Sequence, residues 1–146
     1  MKYLLDASAL IPLLLDYGEK LLDKVTKVVL YVTDLTFYEA GNSLWKLVMF
    51  LNTMKLEEAK DILHALSKLI ESRVLEVIHF RELDLCRIIK LAISERITFY
   101  DASYIVASER AKATLVTEDR KLREKAKKYV STTTYTLFIQ EIGINH

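Results

Sequence analysis

Along the chain, short continuous apolar runs alternate with longer stretches whose apolar positions recur every three to four residues. "KYLLD" (2–6) and "KVVLYVTD" (27–34) are runs of the first kind, the second rich in β-branched residues, and both read as buried strands. "VLEVI" (74–78) and "ATLVT" (113–117) predict a third and a fourth. "LEEAKDILHALSKLIESR" (56–73) is the plainest amphipathic helix, with Leu56, Ala59, Ile62, Leu63, Leu66, Leu69 and Ile70 holding a period of 3.6. Further helices are predicted over 9–24, 36–52, 82–94, 99–112 and 118–128, with Pro12 tolerable in the first turn of the first. The tail "YVSTTTYTLFI" is β-rich and is expected to supply a fifth strand. This alternation predicts an α/β fold: one domain over residues 1–146, with a central parallel sheet of about five strands flanked by helices on both faces.

Composition narrows the class. The 146 residues suffice for a substantial core, and 51% hydrophobic with 28% charged content fits a soluble globular chain and excludes a disordered one. A net charge of +1 supplies no strong pull toward nucleic acid and does not forbid it. Cys86 is the single cysteine, so no internal disulfide or cysteine metal knuckle is expected, and a reducing cytoplasm is the default. Met1-Lys2 and the apolar residues after it imitate the start of a signal peptide, but Asp6 interrupts them and no small-residue cleavage site follows. No uncharged apolar run reaches the length of a membrane span.

The candidate chemistry lies in the acids. In a parallel sheet, ligands bind beyond the carboxyl ends of the strands, where strand order reverses. Asp6 ends the first strand and Asp119 follows the fourth; Glu39 and Asp101 fall in the expected first turns of two helices. All four therefore map to one edge. Each also has a purely structural reading. "TFYE" (36–39) and "TFYD" (98–101) match the capping box, in which the acid bonds back to the threonine N–H. Asp6 suits the cap of the first helix, and Asp119 the start of the last. Three or four carboxylates meeting at one edge would repel, and some would protonate unless they shared a divalent cation. Oxygen ligands without His or Cys select a hard ion, Mg²⁺ or Mn²⁺.

"LLDASAL" (4–10), "YEAGNSLWK" (38–46), "FYDASYIVAS" (99–108) and "LVTEDRKL" (115–122) resemble, in order, the four signature segments of the PIN domain. More narrowly they are similar to the VapC-type ribonuclease toxins of VapBC toxin–antitoxin systems. The resemblance implies that Asp6, Glu39, Asp101 and Asp119 form the family's acidic quartet. It further implies that Ser8 and Thr117 are the flanking hydroxyl residues and Asn42 the polar residue one turn past Glu39. The activity so implied is metal-dependent endoribonucleolytic cleavage of RNA with one or two Mg²⁺ or Mn²⁺ ions, by a homodimer inhibited by a VapB-like antitoxin. Lys46 and the cluster Arg120, Lys121 and Arg123 are candidate RNA contacts. The later "KAKK" (125–128) needs no ligand, since cations suit a helix C-terminus.

Other residues carry no legible chemistry. His64 reads as solvated, His79 and His146 lack partners at metal spacing, and Cys86 reads as a small core residue. Leu44, Leu47, Val48 and Leu51 form one apolar stripe on the helix predicted over 36–52 and Tyr38, Trp45 and Met49 another; the helix is either wholly buried or an interface. Alternatives to the toxin are a housekeeping PIN nuclease without antitoxin, a noncatalytic RNA-binding module, or a receiver-like phosphotransfer domain. The last expects paired acids after the first strand, where this chain has one. A haloacid-dehalogenase-type phosphatase requires an acid where Ser8 stands.

Overall fold

The apolar runs become five parallel strands in the order β3-β2-β1-β4-β5. They are β1 (Lys2–Leu5), β2 (Val29–Thr33), β3 (Leu75–Ile78), β4 (Thr114–Val116) and β5 (Thr132–Thr133) in the computed structural model, which describes residues 1–144. The first strand in sequence is the central one. Leu4 pairs with Tyr31 on one side and Leu115 on the other. Strand order reverses between β1 and β4, so the crevice favoured for ligands opens beyond Leu5 and Val116.

Eight helices fall among the described residues: α1 (Ala7–Asp16), α2 (Leu21–Lys24), α3 (Asp34–Met49), α4 (Leu56–Glu71), α5 (Leu85–Glu95), α6 (Phe99–Ala111), α7 (Arg120–Ala126) and α8 (Tyr135–Glu141). The two-residue period of β1 sends Tyr3 and Leu5 to one core and Leu4 to the other. The first core holds Leu10 and Leu13 of α1, Ala40 of α3, Leu66 and Leu69 of α4, and Phe138 of α8. The second holds Ile88 and Leu91 of α5, Ala102 and Tyr104 to Ala107 of α6, and Leu122 and Ala126 of α7. Residues 102–108 of α6 are all buried, because this helix lies against the strands and under α5. No helix among the described residues is long and apolar enough to cross a membrane.

Several expectations need correction. The first predicted helix is broken: α1 stops at Asp16, Gly18 takes φ +51°, and one tight turn leads into α2. Pro12 is the sixth residue of α1, past the first turn, so the helix there lacks the N–H that would bond the carbonyl of Ser8. The β-rich tail pairs only through Thr132 and Thr133; Thr134 then caps Leu137 N–H and turns the chain into α8, whose Phe138 is buried against Tyr3. Cys86 is exposed rather than core, because the apolar stripe of α5 that faces inward is Ile88, Leu91 and Ala92. The third helix is not wholly buried: Tyr38, Trp45 and Met49 are exposed, while Leu44 is buried. His64 and His79 are exposed; His146 lies outside the described residues.

Candidate active site at the carboxyl edge of the sheet

Where β1 ends, Asp6 caps α1, accepting from Ala9 N–H at 3.1 Å. The structural role weighed for Asp6 is thus real, but it uses little of the carboxylate. Oδ1 also accepts from the Ser8 hydroxyl at 2.6 Å, and Oδ2 takes a very short hydrogen bond from the Thr117 hydroxyl. Those two hydroxyl oxygens lie 3.3 Å apart. Each receives a backbone N–H from the loop after β4: Glu118 N–H reaches Ser8 Oγ at 2.9 Å and Asp119 N–H reaches Thr117 Oγ1 at 3.1 Å. Two hydroxyls oriented by backbone donors therefore aim their protons at one carboxylate. Asp6 is nonetheless only 6% exposed. Burial pushes its carboxyl up to about 6, against the hydrogen bonds from Ser8, Thr117 and Ala9, and the Glu39 charge adds to the rise.

The other acids approach from three helices. Asp119 caps α7 through Leu122 N–H at 3.1 Å. Asp101 stands in the first turn of α6, capped by Thr98, whose hydroxyl accepts Asp101 N–H at 3.0 Å. Burial raises the Asp101 carboxyl, as do the charges of Asp119 and Glu39, while the Thr98 hydroxyl and Lys121 oppose the rise. These influences link Asp6 to Glu39, Glu39 to Asp101, and Asp101 to Asp119, so all four acids share one electrostatic neighbourhood.

Glu39 departs from its expected local role. Thr33, not Thr36, caps α3, and Thr33 with Thr36 completes the capping box: Thr33 N–H donates to Thr36 Oγ1 at 3.0 Å. The helix thus starts at Asp34, and Glu39 lies in its second turn. Its carboxylate instead accepts from the buried Tyr104 hydroxyl at 2.5 Å. Asn42, one turn on, lines an open groove of about 430 Å³ with Leu35, Tyr38, Glu39 and Tyr100.

Of the basic candidates, Lys121 is near enough to act on Asp101, and Arg120 and Lys46 are exposed. Arg123 is committed to the protein, donating to the Thr117 carbonyl at 2.7 Å. The KAKK lysines Lys125, Lys127 and Lys128 pair with Glu95 or Glu124. Sequence reading missed Tyr104; its one signal was its place three residues after Asp101, on the same face of α6. Glu118 looks like a fifth site acid by position but accepts Tyr135 N–H at 2.6 Å, at the start of α8.

The all-oxygen donor set suits a hard divalent cation, and the mutual repulsion of these acids is what such an ion would relieve. Among the described residues, no three His, Cys, Asp or Glu side chains are already drawn together to hold one. Asp6, Glu39 and Asp119 are held by the protein's own donors.

The family model described as the PIN domain matches residues 3–128. The chain belongs to the PIN-domain family. Two curated relatives come from Pyrobaculum aerophilum. The protein named Exonuclease VapC9 is 35% identical over 127 residues, covering 87% of each chain. The one named Ribonuclease VapC3 is 31% identical over 130 residues, covering 86% of this chain and 95% of its own. This PIN domain is thus of the VapC type. The crystal structure of PAE2754, also from Pyrobaculum aerophilum, superposes with a TM-score of 0.73 at 30% identity over 98% of both chains. The structure of VapBC-1 from nontypeable Haemophilus influenzae shares the fold, with a TM-score of 0.62 at 18% identity, over 93% of this chain and 99% of that one.

Proposed function

We propose that this chain is a divalent-metal-dependent endoribonuclease, the toxin of a type II toxin–antitoxin system, which hydrolyses RNA phosphodiester bonds in the cytoplasm. The observation that carries the reading is the electrostatic coupling of Asp6, Glu39, Asp101 and Asp119 at the strand-order reversal. Solvated caps have no need of one another, yet the Glu39 charge raises the proton affinity of both Asp6 and Asp101, and the Asp119 charge that of Asp101. The names of the relatives VapC9 and VapC3 support nuclease chemistry, and that of VapBC-1 supports a VapB-like antitoxin partner.

Asp6, Asp101 and Asp119 would hold one or two Mg²⁺ or Mn²⁺ ions, with Glu39 as ligand or water-orienting group. The bound ion would supply an activated water and stabilise charge on the scissile phosphate. Ser8 and Thr117 fix the Asp6 carboxylate, since their hydroxyl protons are both directed to it. Asn42 faces the groove beside Glu39. Lys121, Arg120 and Lys46 draw in the phosphate backbone, which the nearly neutral chain does not otherwise attract. The exposed α3 face of Tyr38, Trp45 and Met49 serves as the homodimer interface.

The test is cleavage of RNA with Mn²⁺ or Mg²⁺, with and without chelator, by the wild type and Asp101→Asn. Cleavage that needs the ion and falls to background in the variant is expected. Metal-independent cleavage, or full activity of the variant, overturns the reading.

A further inference from the structure

Resting on the nuclease reading, we propose that Tyr104 is a positioning residue that clamps Glu39 beside Asp101, so that the two acids present a single site from separate helices. Tyr104 is 2% exposed and belongs to α6, one turn beyond Asp101. On a helix, residues three apart share a face, so the phenol and the Asp101 carboxylate point toward the same neighbour. That neighbour is α3. The Tyr104 hydroxyl donates to Glu39 Oε1 at 2.5 Å, a bond linking positions 65 residues apart.

Like charge opposes this arrangement. Two carboxylates presented to one site repel, and Glu39 is half-buried with a flexible side chain that can swing toward solvent. A charge-assisted hydrogen bond from a rigid, buried phenol resists that swing. The clamp is held at both ends: the phenol is buried in α6, and Glu39 lies one turn beyond Thr36, which accepts Thr33 N–H in the α3 capping box. The capped start of α3 fixes the backbone that carries Glu39, and the phenol fixes its carboxylate. Only Oε1 is engaged by Tyr104, so Oε2 remains for a cation or its water.

Tyr104→Phe keeps the buried ring and removes only the donor. Mn²⁺ affinity, read by the paramagnetic resonance of free Mn²⁺, should weaken about 10-fold, the low end for groups that orient metal ligands. In a Glu39→Ala background the same substitution should change Mn²⁺ affinity by less than about 2-fold, because the group acted upon is gone. An equal loss in both backgrounds shows that Tyr104 acts by packing and overturns the clamp. So does unchanged affinity in Tyr104→Phe while the wild type binds Mn²⁺ and cleaves RNA. A wild type that binds no Mn²⁺ refutes the metal-nuclease reading itself, and the clamp with it.

Discussion

Asp6→Asn should stabilise this protein in alkaline solution and destabilise it in acid. The Asp6 carboxyl has an ordinary value of 3.8 and is pushed up to about 6 in the fold, burial being the largest cause. Below 3.8 it is protonated whether folded or unfolded, and contributes nothing to the pH dependence. Between 3.8 and about 6 the folded state holds the proton that the unfolded state has released, so stability falls as pH rises through this window. Above about 6 both states are ionised and the folded state carries the full penalty. The gap from 3.8 to about 6, at about 1.36 kcal/mol per pH unit, corresponds to roughly 3 kcal/mol. Asparagine removes that penalty but accepts through one oxygen only. The Ser8 and Thr117 hydroxyls and Ala9 N–H then compete for it, at a cost of about 1 kcal/mol. The variant should therefore be less stable by about 1 kcal/mol at pH 3.5 and more stable by about 2 kcal/mol at pH 8. For a chain of this size the swing is about 6–12 °C in the difference between the two Tm values. Thermal melts of both proteins in chelator across that range measure it directly. A difference that stays constant with pH, or grows in favour of the wild type as pH rises, would refute the burial argument for Asp6.

Three further outcomes follow from other parts of the molecule. Phe138→Ala removes a ring that is 0% exposed and packed edge-on to Tyr3 at 4.9 Å; a loss of about 3–5 kcal/mol in urea unfolding is expected, and a loss under 1 kcal/mol would show that α8 contributes little to the core. Arg120→Ala and Lys121→Ala should each flatten the dependence of log RNA affinity on log salt by about 0.7–1, weakening all sequences alike; an unchanged slope excludes phosphate contact. Trp45→Glu places a charge in the exposed α3 face, beside Phe50 at 5.0 Å, and should convert dimer to monomer in light scattering; an unchanged mass removes this face from the interface.

The carboxyl edge was legible because the strands are continuous apolar runs, and an acid at the end of such a run is conspicuous. Asp6 and Asp119 could be placed to within a residue on that ground. The start of α3 was not legible, since Thr33 and Thr36 are both good caps and only the Thr33 N–H bond to Thr36 distinguishes them. That three-residue displacement changed the meaning of Glu39, from a cap bonding its own helix to an acid held from another. The Tyr104 bond could not be read at all, because its partner lies 65 residues away and a tyrosine inside a buried helix looks like any other core residue. The tail misled for a different reason: its threonines favour strands, but Thr134 is also a helix cap and Phe138 had a core to fill.

The strand order also sets when the edge can exist. β1 is made first, yet it lies at the centre of the sheet, and its second neighbour is β4, more than a hundred residues later. The Thr117 hydroxyl that reaches Asp6 spans 111 positions of chain. A polypeptide still emerging from the ribosome thus carries Asp6, Glu39 and even Asp101 without the strand that gathers them. Whatever chemistry this edge performs is withheld from the nascent chain until β4 and Thr117 have been made.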